Sequence, residues 1–300
     1  LGMLSIAMKR LIKAIYHLIP FKKQIFCVLR IAKPGRKIYR HLHMKGKFRV
    51  KLSPDVSFKM YSHGCIEENE LFWKGIDQGW EKMSLNIWRK LSPRANIILD
   101  IGANTGIYSL VAAAMNPKAE VYAFEPLPKV VEYLSMNISL NGYNVHVIPK
   151  AVSDNTGKAH VFLREGEDFA YSVTVNKSLL SVTTPQKMLN VETVTLKDFI
   201  EEYNLKSIDL MKIDVETHEP EVLDGLGEYI DRFRPDMIIE IWDNDCAIKL
   251  NSMLQNKKYL FFDIDDERGT IIRKEKIEVS SFWNYLICKL ETAQFLKLIE

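Results

Sequence analysis

The sequence predicts an α/β protein built on a seven-stranded, mostly parallel sheet with helices on both faces. Three observations carry that prediction. From Asn96 onward short apolar runs alternate with helical stretches, the pattern of βαβ units. The first unit, residues 97–106, is a buried strand that runs into a glycine-rich turn and then a helix. A chain of 300 residues that is 47% apolar and 26% charged can bury a sizeable core, which excludes disordered, collagenous and disulfide-scaffold architectures.

Taken in order, residues 1–45 form a basic N-terminal arm. Leu4, Met8, Leu11, Ile15 and Leu18 recur at helical steps, with Lys9, Arg10, Lys13 and His17 on the opposite arc, so 4–19 reads as an amphipathic helix ended near Pro20. A second basic, apolar segment at 21–40 breaks at Pro34-Gly35. Residues 46–95 are a lead-in that packs on the catalytic domain, with β-like stretches at 48–52 and 56–61 and a helical one at 80–91. The main domain, 96–300, carries strands at 97–101, 120–124, 145–149, 210–214, 237–241, 260–264 and 284–290. Between the third and fourth lies a β-rich insertion at 158–195, alternating and rich in Thr, Ser and Val, which reads as a hairpin excursion.

The net charge of +3 conceals a division. Fourteen of the 41 basic residues precede Asp55 with no acidic residue among them, which leaves 27 basic against all 38 acidic residues in the body. Cys27, Cys65, Cys246 and Cys288 are scattered, with no CxxC, so four buried thiols are expected rather than a zinc site or disulfides. Lysines and Arg10 interrupt every apolar run near the N-terminus, and no stretch suffices to span a bilayer. The expected location is therefore cytoplasmic. Leu1 is not an initiator, so the first two residues read as an alternative start, a truncation or a cloning scar.

The segment Leu99-Asp100-Ile101-Gly102-Ala103-Asn104-Thr105-Gly106 sets the chemistry. Its glycines allow a tight turn and close approach of a ligand to the backbone, and Glu125 follows Gly106 by 19 residues, the offset at which a carboxylate meets ribose hydroxyls. The spacing is GxxxG rather than the GxGxxG of pyrophosphate sites, and Asp100 at the strand end would repel phosphate and favour a cation. S-adenosylmethionine has the ribose, the positive charges and no phosphate. A glycine turn that binds nothing is the alternative reading.

With these residues in place, the chain resembles the FkbM-type S-adenosylmethionine-dependent methyltransferases, within the class I Rossmann-like methyltransferases. The marks are LDIGANTGIYS at 99–109, FEP at 124–126, AVSD at 151–154, VTLKDF at 194–199, KIDVETHE at 212–219, EIW at 240–242 and WNYL at 283–286. The family usually has glycine where this chain has Thr217, and aspartate where it has Lys197. The resemblance implies that the last strand runs antiparallel. It also implies that Asp100, Gly102, Asn104 and Gly106 hold the methionine part of the cofactor, Glu125 the ribose, and Ser153 and Asp154 the adenine edge. For Asn104, side-chain stabilisation of the turn is an alternative role.

The resemblance points to O-methylation. A hydroxyl acceptor needs a base or a metal ion to take or weaken its proton. Beyond the fourth and fifth strands the sequence offers Asp214, Glu216, His218 and Glu219, then Glu240, Asp243 and Asn244. If the fourth strand continues, Asp214 and Glu216 share a side and border the acceptor pocket, with His218 or one of these carboxylates as base. Blander roles compete: Glu219 suits a helix N-terminus, His218 a helix surface, and Glu240 could pair with Lys212. Asp214, Glu240 and Asp243 could instead gather magnesium, as in catechol-type methyltransferases. The spacing of EIWDND does not match that pattern, so no metal is assigned.

The expected acceptor is a hydroxyl on a glycan, glycolipid or other small molecule, with Tyr171, Ser172 and Trp242 as candidate wall residues. An RNA methyltransferase whose arm tracks phosphates is the rival, opposed by the acidic body and the lack of base-methylation motifs, so a nucleic-acid partner is not expected. Residues 4–19 suit peripheral contact with an anionic membrane on its inner face, or packing on the body or a second subunit. Nothing in the sequence sets an oligomeric state.

Overall fold

The computed structural model describes residues 21–164, 186–279 and 282–300. The amphipathic 4–19 segment, Tyr171, Ser172 and the centre of the 158–195 insertion lie outside the described residues.

The chain enters through two helices, Lys22–Ile31 and Arg36–Tyr39, and a hairpin of β1 (Gly46–Lys51) and β2 (Ser57–Ser62). These do not stand apart as an arm. Phe26, Tyr39 and Met44 are buried in the same apolar cluster as Trp73, Trp88 and the sheet residue Ile98. Polar bonds fix the join: the Asn69 amide donates to the Tyr39 carbonyl, the Met44 amide donates to Asn69, and the Trp73 indole donates to the Leu42 carbonyl. Residues 21–45 therefore supply core side chains as well as charge.

The core sheet is assembled from β3 (Ile97–Ile101), β4 (Glu120–Phe124) and β5 (Val145–Ile148). After a short excursion through β6 (Ala151–Val152), β7 (Gly157–Arg164) and β8 (Gln186–Val194), it continues with β9 (Leu210–Ile213), β10 (Asp236–Glu240), β11 (Leu260–Asp265), β12 (Thr270–Lys274) and β13 (Asn284–Cys288). The order is β12-β11-β13-β10-β9-β3-β4-β5. Strands β10, β9, β3, β4 and β5 pair in parallel, and β13 runs antiparallel between β10 and β11.

Among the described residues the sheet has eight strands rather than the seven expected. The addition, β12, hairpins back along β11 at the edge. Its sequence, Thr-Ile-Ile-Arg-Lys, is largely exposed and half polar, so it lacks the apolar run that marks a buried strand.

Period-two alternation divides the side chains between two layers. Ile98, Val121, Leu210, Ile238 and Leu286 face one cluster, with helices Lys82–Leu91, Ile107–Met115 and Pro128–Ser139. Leu99, Tyr122, Met211, Ile239 and Ile287 face the other, with Leu196–Glu202, Glu219–Leu226 and Asn244–Leu254. The insertion is a hairpin as expected in its described part: β7 pairs antiparallel with β8, and Val161 and Val191 pack on Leu127 and Val130. Cys27 is exposed, whereas Cys65, Cys246 and Cys288 are buried, and all four are free thiols. Among the described residues no helix is long and apolar enough to cross a membrane.

Candidate active site

A cavity of about 530 Å³ opens beyond the carboxyl ends of β3, β4, β9 and β10, the place where open α/β sheets bind ligands. Its volume is in the usual range for a small-molecule site.

One half is built by the turn after β3. Gly102 has φ +81°, and a Cβ there would come 1.9 Å from the Asp214 carbonyl oxygen, so the close approach that needs glycine is to the neighbouring strand. Gly106 has φ +93°, with Leu134 where a side chain would go. Asn104 takes φ +50°, a conformation Asn tolerates, and its backbone N–H donates to Glu125 Oε2 at 3.1 Å. The Leu127 N–H donates to Glu125 Oε1 at 3.0 Å, so this carboxyl is positioned entirely by backbone. Burial nevertheless raises its pKa to about 7. Asp100 Oδ2 accepts from the Ser109 amide and hydroxyl at 2.8 and 2.6 Å, which ties the strand end to the first turn of the following helix. Burial lifts Asp100 to about 6.

Two desolvated carboxyls held by backbone and hydroxyl donors suit ribose hydroxyls and a cationic amino-acid end. They give a diphosphate nothing to pair with, so the residues present fit S-adenosylmethionine. At the far end the described wall is Ala151, Val152 and Val161. Ser153 and Asp154, expected at the adenine edge, are not on it: the Ser153 hydroxyl bonds to Asp154 at 3.1 Å and to His218 Nε2 at 2.9 Å.

The other half is a charged cluster on the sheet face that carries Asp100. Lys212, 1% exposed, pairs with Asp214 Oδ2 at 3.0 Å and lies over the Tyr108 ring at 5.2 Å. Carboxylate oxygens of Glu81, Asp214 and Glu240 lie within 4.8 Å of one another. Their environments divide them. Burial works against the charges of Lys212 and Asp214, but together the opposing interactions win: Asp214, Glu81 and Glu240 hold Lys212 above the usual lysine range, and Lys212 with a hydrogen bond to Glu240 holds Asp214 below the usual carboxyl range. Burial and the neighbouring Asp214 charge push Glu240 well up, and its Oε2 accepts the Trp242 indole N–H at 2.6 Å. Glu81 is raised to about 7 by burial, although Lys212 draws it down, and accepts the Tyr108 hydroxyl at 2.5 Å.

Glu81 was not anticipated from the sequence. It sits at φ +44° before helix Lys82–Leu91 and is aimed by a tertiary cap: Asp266, in the turn between β11 and β12, accepts the Met83 and Ser84 amides at 2.7 and 2.9 Å. No local pattern around Glu81 announces this, because apart from Tyr108 its neighbours, Asp214, Glu240 and the capping Asp266, are over a hundred residues away.

The expected neighbours of Asp214 are rearranged. Strand β9 ends at Ile213, and the chain turns through Glu216 and Thr217 at φ +55° and +74°, so Asp214 and Glu216 do not lie on one continuing strand. Glu216 still lines the cavity, with its pKa raised to about 8 mainly by burial. His218 lines it too, but its partners are Ser153 and, at 3.6 Å, Glu221, and burial lowers its pKa. Glu219 is fully buried and holds the turn by accepting the Val215 amide at 3.1 Å. Asp243 caps helix Asn244–Leu254 by accepting the Cys246 amide at 2.7 Å, which removes it from the magnesium set considered above. Glu81 takes its place in the carboxylate trio. Lys212 supplies positive charge to that trio.

A sequence model of the FkbM methyltransferase domain matches residues 100–288. Among curated proteins, the chain is 27% identical over 203 residues to Methyltransferase sdnD of Sordaria araneosa, covering 59% of this chain and 77% of that protein. It is 29% identical over 147 residues to 2-O-methyltransferase NoeI of Sinorhizobium fredii, covering 46% and 60%. It is 24% identical over 161 residues to hexuronic acid methyltransferase AglP of Haloferax volcanii, covering 54% and 62%.

Proposed function

The chain belongs to the FkbM methyltransferase family and is an S-adenosylmethionine-dependent methyltransferase, and on that premise we propose that it methylates a hydroxyl of a sugar, a glycolipid or a natural product. Two of the relatives support the reading by their names, one a 2-O-methyltransferase and one a hexuronic acid methyltransferase. The observation that carries it is the Glu81–Asp214–Glu240 cluster around Lys212, set at the strand tips beside the turn of Gly102.

When bound, S-adenosylmethionine supplies a methyl group on a positively charged sulfur. Asp100 and Glu125 hold the cosubstrate, and the cluster receives the acceptor hydroxyl. Glu81, at the cavity wall, would take the proton that the acceptor hydroxyl gives up on methylation. Asp214 is a poor base because Lys212 stabilises its charge, whereas burial and the Asp214 charge disfavour the ionised form of Glu240. Glu81, with a pKa near neutrality, suits general-base work. Tyr108 and Lys212 then position it, and His218 is a wall residue fixed to Ser153 rather than the base. Alignment of acceptor and methyl contributes the rest of the barrier reduction.

The test is to incubate the full chain with S-adenosylmethionine and a panel of methyl glycosides, glycolipids and polyhydroxylated natural products, and to measure S-adenosylhomocysteine and O-methyl product. O-methyl product from at least one hydroxyl acceptor is expected. Methyl transfer confined to nitrogen or carbon nucleophiles sinks the reading.

A further inference from the structure

Two indoles serve neither the cofactor cradle nor the carboxylate cluster: EIW and WNYL each bring one to the cavity wall. Trp242 and Trp283 stack on each other with ring centroids 4.6 Å apart and planes 17° from parallel. They stay 39% and 44% exposed, an open apolar surface of the kind that marks a ligand groove. Trp283 also takes φ +61°, a costly conformation for a bulky residue and one that recurs at ligand clamps. The platform is rigidly joined to the chemistry. The Ile241 N–H donates to the Trp283 carbonyl at 2.8 Å, and the Trp242 indole N–H donates to Glu240.

An indole face is electron-rich and attracts the slightly positive C–H bonds on the flat side of a saturated ring. Carboxylates beside it accept hydroxyl protons. Glu81, Asp214, Glu216, Glu240, Asp266 and Glu267 line the cavity, whereas its described cations are Lys212, paired with Asp214, and Lys150, next to Ala151. Even with Glu81, Glu216 and Glu240 pushed up by burial, this rim offers an anion no unpaired cation beside the indoles among its described residues, whereas a neutral polyol meets no charge penalty.

We propose that Trp242 and Trp283 form the acceptor subsite, which stacks an uncharged sugar ring so that its hydroxyls face Glu81 and Asp214, and that the acidic rim turns away acceptors bearing a carboxylate or phosphate. The proposal rests on the hydroxyl-methylation reading for its orientation, though binding at the platform can be measured without turnover.

The full chain, saturated with S-adenosylhomocysteine, is titrated with methyl β-D-glucopyranoside and methyl β-D-glucopyranosiduronate at pH 7.5 and followed by saturation-transfer NMR. The neutral glycoside should bind at least fivefold tighter. Trp283→Ala should abolish that binding, Trp283→Phe should restore most of it, and both variants should keep their affinity for S-adenosylhomocysteine. Equal or tighter binding of the glucuronide, binding of neither glycoside, or full binding by Trp283→Ala overturns the proposal. If O-methyl product forms from other hydroxyl acceptors while neither glycoside binds, only the platform falls. If the glycoside binds the indoles but no hydroxyl acceptor is methylated, the hydroxyl-methylation reading falls and the platform stands.

Discussion

The two halves of the cavity hold their carboxylates by different physics. In the cofactor half, Glu125 and Asp100 come from one continuous βαβ stretch and are oriented by N–H and O–H donors from residues close in sequence or on the adjacent helix. In the acceptor half, Glu81, Lys212, Glu240 and Trp283 come from four separate segments, and a buried lysine neutralises their charge. The first half is left short of positive charge and suits a cationic ligand. The second carries its own counter-ion, so one member, Glu81, can stay near its neutral point.

The largest expected effect comes from removing that counter-ion. Lys212→Met leaves the Asp214 charge without its cation in a buried cluster and should cost about 3–5 kcal/mol of stability, read by urea denaturation. A loss under ~1 kcal/mol would mean the lysine is not what holds the cluster together. Next is Glu81→Gln, which should lower turnover about 100-fold, or ~2.7 kcal/mol, with little change in S-adenosylmethionine affinity. Because Glu81 must be ionised to accept a proton, the wild-type rate should rise with pH through about 7, and the variant should lose that limb. An unchanged pH profile would remove Glu81 as base.

In the cofactor half, Glu125→Ala should weaken S-adenosylmethionine binding about tenfold, or ~1.4 kcal/mol. The carboxyl is raised from 4.5 to about 7 in the free protein, so at pH 6.5 ribose hydroxyls and ligand charge should drive its ionisation. Calorimetry in buffers of different ionisation enthalpy should then show proton release that the variant lacks. The linked effect on stability has a fixed sign. Between pH 4.5 and about 7 the folded state binds more protons at Glu81 and Glu125 than the unfolded chain does, so these two groups make the free protein less stable as pH rises through that window.

The smallest effect concerns the turn that closes the acceptor half. Thr217 is β-branched at φ +74°, and its buried hydroxyl has no hydrogen-bond partner. Thr217→Gly should stabilise the protein by ~1 kcal/mol, seen as a higher Tm, and leave cofactor affinity intact. A lower Tm would show that the threonine packs well enough to offset its backbone.

This division also explains what could be read in advance. That Asp100, Gly102, Asn104 and Glu125 meet at one cavity wall was legible because residue type and spacing place them at the ends of two neighbouring strands. Asp214 and Glu240 were legible as strand-end carboxylates. Asp243 was only one of the polar residues on offer beyond the fifth strand, and an aspartate just before a helical stretch is a common N-cap, the role it takes. His218 was drawn to Ser153 by the fold, and β12 was hidden by its polar edge sequence.

What the sequence by itself determined is the βαβ order, the cofactor turn and the absence of a phosphate-binding pattern, since each depends on contacts within about thirty residues. Only the tertiary structure decided that Glu81 faces Asp214, that Trp242 stacks on Trp283, and that residues 21–45 join the core. Those contacts exist because sheet order brings distant segments to the same strand tips, and no local propensity encodes which segments will meet there.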